Sequence, residues 1–190
     1  MRDVLITIIM IYRAIRLTAP VFYDDAGIPV PTAGDNDIDE LYELWRLLLD
    51  FHQGHHAVFR YRPGGERALK AELLNRLKEK NTRVFVYEEE DLWAGMLVAS
   101  LRPGSTGFRL SNKGYIGETV VREEFRGKGI GKELFEAARK WLSDQGADHL
   151  ELQVSVQNPN GLRFWQSLGF TASTQHMVLP LQEPGNSKKN

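Results

Sequence analysis

No cysteine occurs in the 190 residues, which excludes disulfide frameworks, thiolate zinc sites and any mechanism with a cysteine nucleophile. Charge of one sign is not in excess either: 24 Lys plus Arg stand against 25 Asp plus Glu, for a formal net charge of -1. Broad attraction to nucleic acid or an anionic membrane is therefore not expected, and any basic patch must be local. Long apolar runs are also missing. The stretch Val4 to Tyr12 falls far short of the roughly 20 residues that cross a bilayer, and its isoleucines suit a buried or edge strand. It follows Arg2 as a signal peptide would, yet Arg13 and Arg16 stand where a neutral cleavage site is needed. These features lead to the expectation of a soluble, cytoplasmic protein.

What is present fits one domain. Residues 1–26 form an N-terminal extension, either an added strand or a loose segment. Residues 27–182 form the domain, and 183–190 read as a disordered tail. Ile28 to Thr32 is short and extended because of Pro29 and Pro31, and Gly34-Asp35-Asn36-Asp37 offers helix caps. Leu41, Leu44, Trp45, Leu48 and Phe51 then recur at helical spacing, predicting a helix to about Gln53. A loop rich in His, Arg and aromatics follows, and Leu69, Leu73, Leu74 and Leu77 mark a second helix. Val84 to Tyr87 and Leu92 to Leu101 read as a hairpin around the acidic turn Glu88 to Asp91. Strand-like Tyr115 to Val121 leads through a glycine-rich loop into a helix with the inner stripe Ile130, Leu134, Ala137, Ala138 and Trp141. His149 to Val156 is the next strand. Asn158-Pro159 opens a short helix to Leu168, and Phe170 to Leu181 is a last extended region. This order of elements predicts an α/β (α+β) domain, a mixed sheet with helices on its faces.

The loop Arg126-Gly127-Lys128-Gly129-Ile130-Gly131 carries the clearest chemistry. Glycines between a strand and a helix let backbone N–H groups approach a ligand, and the helix start adds partial positive charge, so an anion is the natural guest. A dinucleotide fingerprint does not fit. Counted from Gly127 its third glycine falls on Lys132, and counted from Gly129 it falls on Leu134. A P-loop fails as well, because Gly131-Lys132 is followed by Glu133 and Arg126 holds the place of its first glycine.

Arg126, Gly129 and Gly131 instead match the acetyl-coenzyme A motif of the Gcn5-related N-acetyltransferase superfamily, which the sequence resembles. A second signature follows at matching spacing: Asn158, Gly161 where alanine is usual, Phe164, and Leu168-Gly169-Phe170. The likeness is strong over residues 115–171 and weaker over 28–101. It implies a mostly antiparallel central sheet with splayed central strands and helices on both faces. It also implies acetyl-CoA as cosubstrate and direct transfer of the acetyl group to a primary amine of a small molecule or protein. On this likeness the N–H groups of Gly127, Lys128, Gly129, Ile130, Gly131 and Lys132 bind the pyrophosphate, with the Arg126 and Lys128 side chains close by. Val121 and Asn158 contact the pantetheine arm, and a homodimer is compatible with such domains. A non-catalytic acyl-CoA sensor or interaction module of the same fold is the alternative.

Direct transfer needs a group to take the amine proton, and the resemblance points to Glu118, three residues before Val121. The same carboxylate would equally serve to orient substrate or satisfy a loop. Relatives often place tyrosine after the second-signature phenylalanine to protonate the departing thiolate, but Trp165 stands here and indole is no acid for that task. Trp165 is expected to pack along the coenzyme arm, and no acid is assigned. His52, His55 and His56 cluster without the carboxylates or cysteines of a metal site, so no metal is expected. With Phe59 and Tyr61, His52 and His55 are read as lining the acceptor cleft.

Overall fold

The computed structural model describes residues 14–17, 37–89, 92–104, 106–179 and 181. The features anticipated at 4–12, 28–36, 90–91 and 183–190 lie outside the described residues. Five strands, β1 (Ala14–Leu17), β2 (Thr82–Glu89), β3 (Leu92–Pro103), β4 (Asn112–Val121) and β5 (His149–Leu152), form one sheet in that order. Among the described residues four α-helices accompany them: α1 (Asp37–Gln53), α2 (Glu66–Leu77), α3 (Ile130–Asp144) and α4 (Pro159–Ser167). The long ladders β2–β3 and β3–β4 are antiparallel, while the short ladders β1–β2 and β4–β5 are parallel. The described residues fall into two compact units, one made of those up to 48 together with 64–153 and the other of 49–63 together with those from 154 on.

Within the first unit the core gathers around β3, where every residue from 93 to 100 is buried. A strand enclosed over successive positions, rather than alternate ones, has both faces covered. Phe85, Trp93, Met96, Leu97 and Ile116 supply the sheet side of that core, and α3 lies against β2, β3 and β4 with Leu134 and Leu142 fully enclosed. Each such side chain contributes roughly 1.5–3 kcal/mol by leaving water. The stripe on α3 is wider than its spacing suggested, since Phe135 and Leu142 are buried while Ala137 is only half-buried. At the other end of the chain order, α1 buries Leu41, Leu44 and Trp45, and Glu40 Oε1 accepts a hydrogen bond from the backbone N–H of Trp93 at 3.0 Å. The helix entrance is thereby tied to the central strand.

Two extended segments differ from expectation. β5 ends at Leu152 instead of reaching Val156, and residues 171–179 belong to no strand. Alternating apolar residues favour extended backbone, but a strand also requires a neighbouring edge to pair with, so propensity alone does not produce one. Val156, Met177 and Leu179 are accordingly 75%, 82% and 82% exposed.

The start of β5 is pinned to the start of β4 by Asp148. Its Oδ2 accepts from the N–H groups of Ser111 (2.7 Å) and Asn112 (3.0 Å), and Oδ1 lies 2.5 Å from His149 Nδ1. The hydrogen bond with His149, then that from Asn112, pull the carboxyl from 3.8 down to about 2. A depressed carboxyl stabilises the fold fully above its unfolded value and ceases to do so as pH falls through its folded value. Asp148→Asn is therefore expected to lower Tm near neutrality, with the gap from the parent protein closing between pH 3.8 and about 2. Melting curves across that range check it; a gap that stays constant would show that the carboxylate charge is not what holds the strands.

Candidate functional site

After β4 the chain makes a single 3-10 turn, Glu123–Phe125, and enters the glycine-rich loop. Gly127 and Gly129 have φ of 79° and 89°, left-handed conformations that glycine adopts without a Cβ penalty. Ile130, 2% exposed, anchors the first turn of α3 in the core while residues 126–129 stay exposed. The Gly129 carbonyl accepts from Lys132 N (2.9 Å) and Glu133 N (3.2 Å). The N–H groups of residues 127–131 donate to nothing among the described residues. Unpaired donors at the positive end of a helix are a setting that favours negative charge.

Both cations of the loop have protein partners that local sequence does not reveal. Arg126 Nε donates to the carbonyl of Val121 at 3.1 Å, bracing the loop on the end of β4. Lys128 Nζ lies 3.2 Å from Glu89 Oε1 and 4.8 Å from the centroid of the Phe125 ring. Tyr87 belongs to the same electrostatic neighbourhood. Burial first, then the charges of Glu133 and Glu89, hold its phenol above the ordinary value, with Lys128 acting in the opposite direction.

β4 itself is irregular where it matters. Leu97 pairs with Thr119 and Ala99 with Ile116, so Gly117 and Glu118 together oppose Val98 in a β-bulge. A bulge re-aims the side chains it carries. On the other edge, β4 pairs with β5 from Lys113 to Ile116 only, and residues 117–121 run on with no β5 partner among the described residues. Glu118 lies on that overhang. Its Oε1 accepts a hydrogen bond from Arg76 Nη1, while Oε2 is enclosed and accepts none among the described residues. Arg76 was not a sequence candidate. The two residues are 42 positions apart, and nothing local to α2 marks the arginine.

The second unit holds the remaining candidates. Asn158 caps α4, its Oδ1 accepting from Gly161 N at 2.9 Å, with Pro159 following as the first helical residue. Trp165 is 8% exposed, and its ring meets Phe164 edge-on at 4.8 Å and Phe170 at 5.6 Å. The side chain expected along a coenzyme arm is thus packed within an aromatic cluster of its own unit. His52, His55 and Phe59 come together: the His52 ring lies 5.3 Å from both His55 and Phe59, and Phe51 stacks edge-on to His55 at 4.5 Å. Burial, then the neighbouring His55, lower the His52 imidazole below its ordinary value. Tyr61 donates to Asp50 Oδ1 at 2.5 Å.

The profile of the acetyltransferase (GNAT) family matches residues 39–170. The chain belongs to that family. Among curated proteins, this GNAT chain is 27% identical over 139 residues to the uncharacterized N-acetyltransferase YobR of Bacillus subtilis. That match covers 73% of this chain and 47% of the relative, so the GNAT chain spans about half the length of the protein it matches. Among solved structures, a mutant of the BH1408 protein from Bacillus halodurans superposes with a TM-score of 0.68 at 25% identity, covering 79% of this chain and 97% of that one. The aminoglycoside N-acetyltransferase AAC(6')-Iy, solved in complex with CoA, gives a TM-score of 0.62 at 19% identity, covering 78% and 90%. At that identity the likeness concerns the GNAT fold.

Proposed function

We propose that this protein is an acetyl-CoA-dependent N-acetyltransferase that moves an acetyl group directly to a primary amine, acting in the cytoplasm. The observation that carries this reading is the run of unpaired N–H donors at residues 127–131, set at the start of α3 directly after β4. Several unpaired amides at a helix start suit two linked phosphates, and the exposure of residues 126–129 leaves that stretch reachable. The overhang of β4 at 117–121 offers main-chain groups to an extended amide-bearing arm.

Coenzyme A thioester supplies an activated acyl carbon. The protein's part is to hold the diphosphate on the loop and to place a proton acceptor beside the amine. Glu118 Oε2 is the assigned acceptor. As the nitrogen bonds to the acyl carbon and the carbon–sulfur bond breaks with its electron pair leaving on sulfur, the ammonium proton passes to Oε2 directly or through water. Trp165 supplies no proton, since an indole N–H is too weak an acid. The acceptor is an amine of a small molecule or of a protein.

The test combines binding and turnover. A coenzyme A thioester at about 100 times its Kd stabilises the folded state by about 2.7 kcal/mol, a rise in Tm of roughly 5–10 °C, whereas ATP and NAD leave Tm unchanged. Release of free coenzyme A is then followed against polyamines, amino acids, aminoglycosides and peptides with free termini or lysines. Turnover with at least one amine is expected. Stabilisation without turnover across the panel would leave a coenzyme-binding module, and stabilisation by ATP or NAD in its place would end the reading.

A further inference from the structure

Glu118 is held from a different element. Arg76, in the last turn of α2, reaches across to β4 and donates from Nη1 to Glu118 Oε1, and the two side chains are 25% and 20% exposed. Gly117 lies beside that contact: a Cβ there would sit 3.3 Å from the Val98 carbonyl oxygen and, at ordinary contact distance, 3.5 Å from Arg76 Nη2. The bulge that places Gly117 and Glu118 opposite Val98 therefore brings a bare backbone position and a carboxylate together under one arginine.

The charge on that arginine is secure. Burial works to lower the guanidinium, but the hydrogen bond and charge of Glu118, with the charges of Glu72 and Glu79, outweigh it and hold Arg76 above its ordinary value. Glu118 presents two unlike oxygens as a result: Oε1 is engaged by Arg76, and Oε2 is enclosed with no hydrogen bond among the described residues. A carboxylate free to rotate would spend much of its time with neither oxygen aimed at a given nitrogen. Fixing one oxygen with a charge-assisted hydrogen bond aims the other.

We propose that Arg76 is a positioning residue for acetyl transfer, anchoring Glu118 by Oε1 so that Oε2, which holds no hydrogen bond among the described residues, is the oxygen left to take the proton of the acceptor amine. The inference rests on the reading of Glu118 as base. Arg76 touches neither coenzyme nor amine in this scheme, and it neither gains nor loses a proton.

Steady-state kinetics on Arg76→Met, Arg76→Lys, Glu118→Gln and the Arg76→Met/Glu118→Gln pair test it, each variant first checked for its melting curve. Misplacing a reacting group is costly, so Arg76→Met should lower kcat by at least about tenfold. The KM for acetyl-CoA should stay within about twofold, because the diphosphate loop is untouched. Lysine keeps the charge but one point of contact, so Arg76→Lys should recover most of the loss, leaving a deficit of about threefold. Most tellingly, the double variant should be no slower than Glu118→Gln alone, since an anchor has nothing left to aim. Should Arg76→Met fold poorly, the threefold deficit of Arg76→Lys must itself vanish in the Glu118→Gln background. Losses that multiply in the double variant, or a raised KM with kcat intact, would overturn the proposal. If Glu118→Gln alone leaves kcat unchanged, the base assignment fails; if it lowers kcat while Arg76→Met does not, only the positioning role fails.

Discussion

Replacing Gly129 with valine should weaken coenzyme A binding by at least about tenfold while the protein still folds, a loss of roughly 1.4 kcal/mol or more in affinity. The position has φ of 89°, and a Cβ built there meets nothing within 4 Å. No described part of the protein obstructs the new side chain, which instead projects from the loop whose N–H groups stand unpaired. Left-handed backbone costs an ordinary L-residue about 1–2 kcal/mol, and a β-branched one is the least tolerant. That strain is tolerable against a typical total stability of about 5–15 kcal/mol. Gly129→Asn separates the two effects, because asparagine accepts left-handed backbone but still carries a side chain. Binding measured by calorimetry should fall for both, while Tm falls mainly for valine. Normal affinity in both variants would remove the loop from the coenzyme site.

Glu118→Gln is expected to lower turnover by about 100-fold to 10,000-fold at neutral pH, the usual contribution of a positioned base. Glutamine preserves the shape of the side chain, and its amide oxygen still accepts a hydrogen bond from Arg76, but it takes no proton. The deficit should be largest at low pH, where the acceptor is an ammonium that must be deprotonated on the enzyme. It should narrow as pH approaches the amine's own pKa, about 10 for a lysine-like amine. Parallel pH–rate curves for parent and variant would exclude Glu118 as the base and leave it a role in orienting substrate.

Features written in neighbouring residues are legible in the sequence. The strand–glycine loop–helix sequence from 115 to 144, the β2–β3 hairpin and the Asn158-Pro159 cap each depend on contacts within a few positions, and each stands where the spacing placed it. Side-chain partners across the sheet are not. Arg76 reaches Glu118 from 42 residues away and Lys128 meets Glu89 across 39, distances at which helical or strand period carries no information. The extended segment at 170–181 illustrates the opposite failure. It was read as extended, yet residues 171–179 belong to no strand, because a strand is a property of two edges and not of one.

The early end of the β4–β5 ladder has a consequence for how tolerant this protein is of change. An elongated guest docked along the overhang would be gripped by peptide groups, which every residue type carries alike. Side chains could be exchanged along that seam with little effect on the grip, provided the main chain kept its course. Discrimination among amine partners must then be written elsewhere, so one half of the reaction can stay constant while the other is free to be retuned.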